Sequence, residues 1–171
     1  DEWRGEKRYF EENKAVWKAL EDAYRAGKLR AIGVSNFLID DLESLLPSCD
    51  IKPMVNQVLA HIGNTPMELI RFCQKQGIAM EAYSPIAHGE ALKSTSIVSM
   101  AKKYGVSVPQ LCIKYILQLG LAALPKASTP EHMRDNASLD FEISAEDLYA
   151  LGMLDFKEYG EHRHFPVFSG K

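Results

Sequence analysis

Four short apolar segments of the chain each end in polar residues, and each is followed by apolar residues at helical spacing. The segments are residues 31–34, 53–57, 78–83 and 121–125. Strands that alternate with helical crossovers lie parallel to one another, so the repeat predicts an α/β fold with a parallel sheet. The carboxyl ends of such strands share one edge of the sheet, where barrel enzymes keep their functional sites. The polar residues that end the four segments are therefore the first candidates for a site.

Local capping signals place several helices between these segments. Thr65, Ser107, Thr129 and Ser144 each precede a helical pattern, and a hydroxyl side chain in this position is typical of a helix start. Residues 84–95 lack such a pattern and are predicted to form a loop. The other predicted helices include residues 11–26, 38–46 and 96–104, and the helix that begins at Ser144 is predicted to end near residue 155. In the first helix the apolar residues at helical spacing are Ala15, Val16, Ala19, Leu20 and Ala23.

Composition excludes several classes of protein. The net charge of −3 gives no attraction to nucleic acid or to an anionic membrane, and no apolar stretch approaches the length of a spanning helix. The charged N-terminal residues do not resemble a signal peptide. Cys49, Cys73 and Cys112 are odd in number and far apart, so we expect reduced thiols in a cytoplasmic protein. His162 and His164 lack a third nearby ligand, so no metal site is predicted.

The residues at the predicted strand ends suit a nicotinamide dinucleotide. Asn36 and Gln57 carry amides, Tyr83 carries a flat aromatic ring, and Lys126 carries a cation. Amides can satisfy the donors and the acceptor of a carboxamide, and a ring can stack on the nicotinamide. No Gly-x-Gly-x-x-Gly motif follows any predicted strand, which argues against a Rossmann site. Four strand–helix units instead make half of an eight-stranded barrel.

Four motifs in consistent order resemble those of the aldo-keto reductases, over residues from about 15 to 155. They are residues 27–37, 55–58 with His61, 82–86, and 124–126 continued at 135–136 and 140–141. In that family these motifs belong to the fifth to eighth strands of a (β/α)8 TIM barrel. The resemblance therefore implies that residues 1–171 form one partial domain, the C-terminal half of the barrel, with residues 156–171 as a tail.

The resemblance also implies a reaction and a cofactor. Members of the family transfer a hydride between NADPH and a small aldehyde or ketone. Ser35, Asn36 and Gln57 are expected to hold the nicotinamide carboxamide, and Tyr83 to stack on its ring. Ser84 and the loop over residues 86–89 are expected along the diphosphate. The full set of implied cofactor-binding residues is Ser35, Asn36, Gln57, Tyr83, Ser84, Ile86, Lys126, Ser128, His132, Asp135 and Asn136.

The adenosine end of this set departs from the family pattern Lys-Ser-x-x-x-x-Arg-x-x-Glu-Asn. Lys126 keeps the lysine expected to meet the 2′-phosphate of NADP, but Ala127 replaces the serine and His132 the arginine. A charge-assisted hydrogen bond is worth about 1.5–3 kcal/mol, so its loss weakens the preference for NADP. We therefore expect NADP as the cofactor, with NAD tolerated. Asp135 and Asn136 are expected to contact the adenine.

The catalytic residues of the family are not among these motifs. Its acid tyrosine, lysine, aspartate and histidine lie in the first four strand–helix units, so no catalytic residue is predicted here and the chain alone is expected to be inactive. A half-barrel leaves two open strand edges, which invite pairing with another chain. We expect the chain to be a piece of a longer enzyme, whose other half is an adjoining segment or a separate chain. The alternative is a catalytically inactive half-barrel that self-associates as a binding or assembly module.

Overall fold

The computed structural model describes residues 8–156 and residue 159. Helices and strands alternate along these residues, as the sequence predicts. The helices are α1 (Phe10–Arg25), α2 (Ile39–Leu45), α3 (Met67–Gln76), α4 (Thr95–Tyr104), α5 (Val108–Gln118), α6 (Pro130–Ala137) and α7 (Ala145–Gly152). The strands are β1 (Gly33–Ser35), β2 (Val55–Leu59), β3 (Ala79–Tyr83) and β4 (Ala122–Leu124). Short 3-10 helices cover Leu46–Ser48 and Ala87–Lys93.

The four strands form one sheet in the order β1-β2-β3-β4. β1 is parallel to β2, with Gly33 opposite Val55, and β3 is parallel to β4. A Cβ atom at Gly33 would lie 2.7 Å from the Val55 carbonyl oxygen, so the close approach of these two strands requires glycine. All four predicted strands are present, and each begins one or two residues later than predicted. The second of the four extends to Leu59.

The chain divides into two compact units, drawn from Asp1–Val58 with Pro66–Met80, and from Leu59–Thr65 with Glu81–Lys171. In the first unit a buried cluster of Trp17, Ile32 and Leu45 packs beneath α1 and α2. In the second unit α5 provides much of the core. Its buried residues are Leu111, Cys112, Ile113, Tyr115 and Ile116.

Three of the four predicted helix caps are confirmed. Ser107 Oγ accepts a hydrogen bond from the Gln110 amide at 3.3 Å, in a capping box. The side chains of Thr129 and Ser144 likewise accept amide hydrogen bonds at the starts of α6 and α7. Thr65 is the exception, because it donates to the His61 carbonyl at 3.2 Å and lies 2.8 Å from the Tyr115 hydroxyl. The N-cap of α3 is Pro66, without a side-chain cap.

The buried face of α1 differs from the apolar stripe noted in the sequence. Val16 is 62% exposed, whereas Trp17 and Glu21 are buried. Glu21 belongs on this face because its carboxylate accepts hydrogen bonds from the amides of Asp50 and Ile51, each at 2.8 Å. The buried face of α1 therefore combines the apolar packing of Trp17 with the hydrogen bonds of Glu21, and the apolar spacing alone did not reveal it.

The first and last strands of the sheet are largely exposed. Gly33 and Ser35 are exposed on β1, and Leu124 on β4 retains 41% of its accessible surface. Parallel sheets normally have both faces covered, so these strands differ from the usual case. The residues 84–95, predicted as a loop, contain the 3-10 helix Ala87–Lys93. No helix among the described residues is long and apolar enough to cross a bilayer.

The cysteines are all unpaired thiols. Cys73 and Cys112 are buried and Cys49 is half-buried. Within residues 8–156 and at residue 159, no three His, Cys, Asp or Glu side chains gather as metal ligands. His162 and His164, and most of the predicted tail over residues 156–171, lie outside the described residues.

Candidate functional site

Three predicted site residues meet at the end of β1, where Ser35 pairs with Gln57; Gln57 was predicted to end its strand but is the middle residue of β2. Ser35 Oγ donates a hydrogen bond to the Gln57 carbonyl oxygen at 3.0 Å, and the Asn36 amide donates to the same oxygen at 2.8 Å. Asn36 has a φ of 56°, a left-handed conformation that asparagine tolerates better than most residues. It therefore turns the chain sharply at the end of β1. The Ser35 hydroxyl and the Asn36 backbone N–H thus share the Gln57 carbonyl oxygen, which places the three residues side by side.

A buried asparagine that the sequence did not single out supports this turn. Asn56 is fully buried on β2, and its Nδ2 donates to the Phe37 carbonyl oxygen at 2.9 Å. Asn56 Oδ1 has no hydrogen-bond partner among the described residues. The bond to Phe37 fixes the backbone directly after Asn36. The pair of amides Asn56 and Gln57, between apolar residues of one strand, is the sequence signal that could have identified Asn56.

The segment after β3 holds an unusual series of backbone conformations. Ser84, Ala87 and His88 have φ values of 52°, 50° and 53°, and Gly89 has a φ of 92°. Ser84 Oγ lies 3.0 Å from His88 Nε2, and the Gly89 amide donates to the Ile86 carbonyl oxygen at 3.0 Å. The Ala87 amide likewise donates to the Ser84 carbonyl oxygen at 2.8 Å, so hydrogen bonds within the segment fix its shape. The turn therefore has a defined backbone conformation directly after β3.

The segment from β4 into α6 presents polar residues to solvent. Lys126, Ser128 and His132 are exposed, and no residue of α6 is buried. Thr129 Oγ1 accepts a hydrogen bond from the His132 amide at 3.2 Å, which fixes the start of α6. A helix N-terminus favours a negative charge, and the Lys126 ammonium precedes it by four residues. Asp135 and Asn136 follow one turn later on the same helix.

A second feature that sequence reasoning missed lies just after β2. His61 is fully buried, its Nδ1 lies 2.7 Å from the Ile62 carbonyl oxygen, and its Nε2 lies 3.1 Å from the Tyr159 hydroxyl. Burial lowers the pKa of His61, and the nearby His88 lowers it further. Sequence motifs gave His61 only as part of a resemblance. A histidine adjoining a buried strand, with a distant tyrosine in an aromatic-rich segment, offered only a weak signal.

Comparison with known proteins identifies the family. The model of the aldo/keto reductase family matches residues 7–154. The chain therefore belongs to the aldo-keto reductase family, as its four motifs predicted. In this family the fold is a (β/α)8 barrel, and the four-stranded parallel sheet of this chain is consistent with it.

Two curated relatives come from Bacillus subtilis. The chain is 43% identical to the uncharacterized oxidoreductase YtbE over 143 residues, or 83% of this chain and 51% of the relative. It is 41% identical to glyoxal reductase over 157 residues, or 91% of this chain and 55% of the relative. The chain thus spans about half the length of the curated relatives it matches.

Solved structures of aldo-keto reductases resemble the fold of this chain. An aldo-keto reductase from a Medee basin deep-sea metagenome superposes with a TM-score of 0.81 at 31% identity, covering 87% of this chain and 57% of that one. A second neighbour is the silkworm (Bombyx mori) aldo-keto reductase AKR2E5 in complex with NADPH. It has a TM-score of 0.77 at 30% identity, with 88% of this chain and 49% of that chain covered.

Proposed function

We propose that this chain supplies the cofactor-binding part of an NADPH-dependent aldo-keto reductase that reduces a small aldehyde or ketone to an alcohol. The observation that carries the proposal is the meeting of Ser35 and Asn36, at the end of β1, with Gln57 on the neighbouring strand β2. It occurs in a chain of a family whose solved structures include NADPH complexes. The glyoxal reductase relative supports a carbonyl substrate.

The donor set fits the nicotinamide end of this cofactor. A carboxamide offers two N–H donors and one acceptor, and hydroxyl and amide side chains can match all three. The Gln57 carbonyl oxygen accepts from the Ser35 hydroxyl and from the Asn36 backbone N–H, so both residues are held in a defined turn. In the proposed complex Tyr83 stacks on the nicotinamide ring. Bound NADPH supplies the hydride, and these residues orient the ring that carries it.

The phosphate end is assigned to two other segments. The turn with Ser84 and Ile86 is proposed to lie along the diphosphate. Lys126, Ser128 and His132 are proposed to meet the 2′-phosphate at the start of α6, where the helix dipole favours an anion. Asp135 and Asn136 are proposed to contact the adenine. Because His132 replaces the arginine of the family pattern, we propose that NAD is tolerated as well.

Catalysis needs groups that we do not assign to this chain. We propose that the acid tyrosine and its lysine, aspartate and histidine partners come from the first half of the barrel, and that the chain alone is inactive. General acid catalysis contributes about 10²–10⁴ in rate, so binding of the cofactor without these groups gives little turnover. The cytoplasm remains our proposed compartment.

Cofactor titration tests this proposal. We expect NADPH fluorescence to report binding to the intact protein carrying this chain, and Lys126→Met to weaken NADPH more than NADH. His132→Arg is expected to tighten NADPH by about tenfold, because it adds a charge-assisted hydrogen bond. Lys102→Met, at an exposed position on α4, is the matched control and should change neither affinity.

Failure of NADPH to bind the intact protein contradicts the proposal as a whole. A preference for NADP over NAD above about a thousandfold contradicts only the tolerance of NAD, since it exceeds what one missing charge-assisted bond accounts for.

The exposed strands favour a second candidate function. β1 and β4 end the sheet order, and most of their residues are exposed. Such strands can pair with another copy of the chain, as in an assembly module without catalysis. Size-exclusion chromatography together with NADPH titration separates the candidates. A stable dimer that does not bind the cofactor supports assembly, whereas cofactor binding supports the reductase.

A further inference from the structure

Several independent contacts join the loop after β2 to the segment after α7. We call His61, Gly63, Phe156 and Tyr159 the His61 cluster. Its rings meet closely: His61 stacks on Phe156 at 5.4 Å between centroids and meets Tyr159 edge-on at 5.6 Å. The Phe156 amide donates to the Gly63 carbonyl oxygen at 3.1 Å. A Cβ at residue 63 would collide with the Phe156 ring, so only glycine fits there.

The geometry assigns the proton on the buried imidazole. Nδ1 faces the carbonyl oxygen of Ile62 at 2.7 Å, and a carbonyl only accepts, so Nδ1 carries the hydrogen of the neutral ring. Nε2 then has a free lone pair and accepts a hydrogen bond from the Tyr159 hydroxyl at 3.1 Å. The imidazole is thus held at both nitrogens. Its orientation in turn fixes the Tyr159 ring.

Tyr159 connects this cluster to a predicted site residue. With Leu59 and Ala87, Tyr159 forms a buried apolar group, and it is only 2% exposed. Tyr83 and Phe156 pack against this group. Ala87 belongs to the left-handed turn after β3. The ring proposed to stack on nicotinamide is therefore supported by a group that includes Tyr159.

We propose that His61 and Tyr159 are positioning residues for Tyr83, through a hydrogen bond that fixes the Tyr159 ring in the apolar group against which Tyr83 packs. The part of this inference that concerns the cofactor rests on the proposed function. Neither residue touches the cofactor in this proposal. Each acts by holding the ring of Tyr83 in one place, so that cofactor binding does not have to order it.

This arrangement predicts a pH dependence. A second proton on His61 can only enter at Nε2, which removes the acceptor of the Tyr159 hydroxyl and places a charge in a buried site. The titratable groups facing the imidazole are the Tyr159 hydroxyl and His88, and those acting on Tyr159 are Asp155 and Tyr83. Burial holds the pKa of His61 below 6.5. The His61–Tyr159 hydrogen bond is therefore fully favoured above pH 6.5, and its contribution is lost as the pH falls below that value.

A double-mutant cycle tests whether Tyr159 acts through Tyr83. In the intact protein we expect Tyr159→Phe to weaken NADPH binding by about three- to tenfold, the range set by one neutral hydrogen bond. In a Tyr83→Ala background the same change is expected to have no further effect. Tyr149→Phe, at a tyrosine that is 71% exposed on α7, is the matched control. Equal losses in both backgrounds, or the same affinity as the control, overturn the proposal.

A second measurement does not depend on the cofactor. Hydrogen exchange at the Phe156 amide reports the bond to Gly63, and its protection factor is expected to fall between pH 7.5 and pH 5.5. His61→Gln keeps an acceptor side chain without titrating, so its protection factor should stay level over this range. A protection factor in the native protein that is independent of pH overturns the coupling. If NADPH does not bind but this arm behaves as expected, the proposed function fails and the His61 cluster stands.

Discussion

Glu21 shows how a single buried charge can define the position of a helix. Its Oε1 accepts two amide hydrogen bonds from Asp50 and Ile51, and its Oε2 lies 3.5 Å from Arg25 Nη2. The neighbouring Trp17 donates to the Ile51 carbonyl oxygen at 2.9 Å. These bonds attach α1 to the segment before β2. Both amides at this segment depend on the same carboxylate oxygen.

We expect Glu21→Ala to destabilise the protein by about 2–4 kcal/mol, because it leaves two amides without their acceptor. Glu21→Gln keeps an acceptor and should cost less. Glu11→Ala on the same helix removes only an exposed pair with Lys14 and is expected to cost less than about 0.5 kcal/mol. Urea unfolding monitored by circular dichroism gives all three values. Equal losses for Glu21→Ala and Glu11→Ala would contradict this account.

At the scale of elements, Asp147 attaches α7 to α4. Its Oδ2 accepts hydrogen bonds from Lys103 Nζ at 2.6 Å and from the Tyr104 hydroxyl at 2.5 Å. The Tyr104 hydroxyl also accepts a bond from the Ser144 amide at 2.9 Å, at the cap of α7. The Lys103 bond, followed by the Tyr104 bond, holds the pKa of Asp147 below its ordinary value of 3.8.

This lowered pKa predicts how α7 responds to acid. The native carboxylate holds its proton less tightly than the unfolded one, so its contribution is complete above pH 3.8 and is lost as the pH falls through the native pKa. Asp147→Asn should therefore lower the melting temperature at pH 7, and the difference from the native protein should shrink below pH 3.8. Glu146→Gln, at the exposed neighbouring position, is the control. A difference that is the same at pH 7 and pH 3 would contradict the prediction.

The elements could be predicted from sequence wherever their signals are local. Ser107, Thr129 and Ser144 act as predicted because a cap depends only on the next three residues. Thr65 carries the same local signal, but its hydroxyl does not cap the helix, because it is hydrogen-bonded to Tyr115, fifty residues away in sequence. The strands begin one or two residues later than predicted, because the hydrogen-bonded pairing of neighbouring strands determines where a strand begins, and hydropathy does not show this pairing.

In the candidate site, too, local features could be predicted from sequence and long-range contacts could not. Ser35, Asn36 and Gln57 were predicted because polar residues that follow an apolar segment are visible in sequence, and Ser35 and Asn36 share the Gln57 carbonyl oxygen as a partner. The His61–Tyr159 bond joins residues 98 positions apart, and no periodic pattern encodes such a pair. Contacts between residues so far apart in sequence form only in the complete fold.

At the scale of the whole molecule, the three thiols report on the integrity of the core. Burial raises the pKa of Cys112 to about 12. Burial, with the charges of Glu21 and Asp50, raises the pKa of Cys49 to about 11, and burial also raises the pKa of Cys73. The thiolate is the reactive form, so native thiols with such values react slowly near pH 8.

We expect Ellman's reagent to react slowly with the native protein at pH 8 and with all three cysteines after unfolding in urea. The rate for the half-buried Cys49 is expected to be well below that of free cysteine, since only about one thiol in a thousand is ionised at this pH. Cys49→Ser identifies its share of the signal. Labelling of the native protein at the rate of free cysteine would contradict the closed core described above.

The turn after β3 keeps Ser84, Ala87 and His88 at φ values between 50° and 53°. A left-handed conformation costs an ordinary residue roughly 1–2 kcal/mol, and interactions elsewhere in the fold must offset this free energy. Most substitutions along this stretch would inherit the same penalty, whereas glycine would relieve it and loosen the chain. The backbone conformation therefore limits which substitutions this turn tolerates even without a ligand, and an anion that binds there would find the backbone already in place.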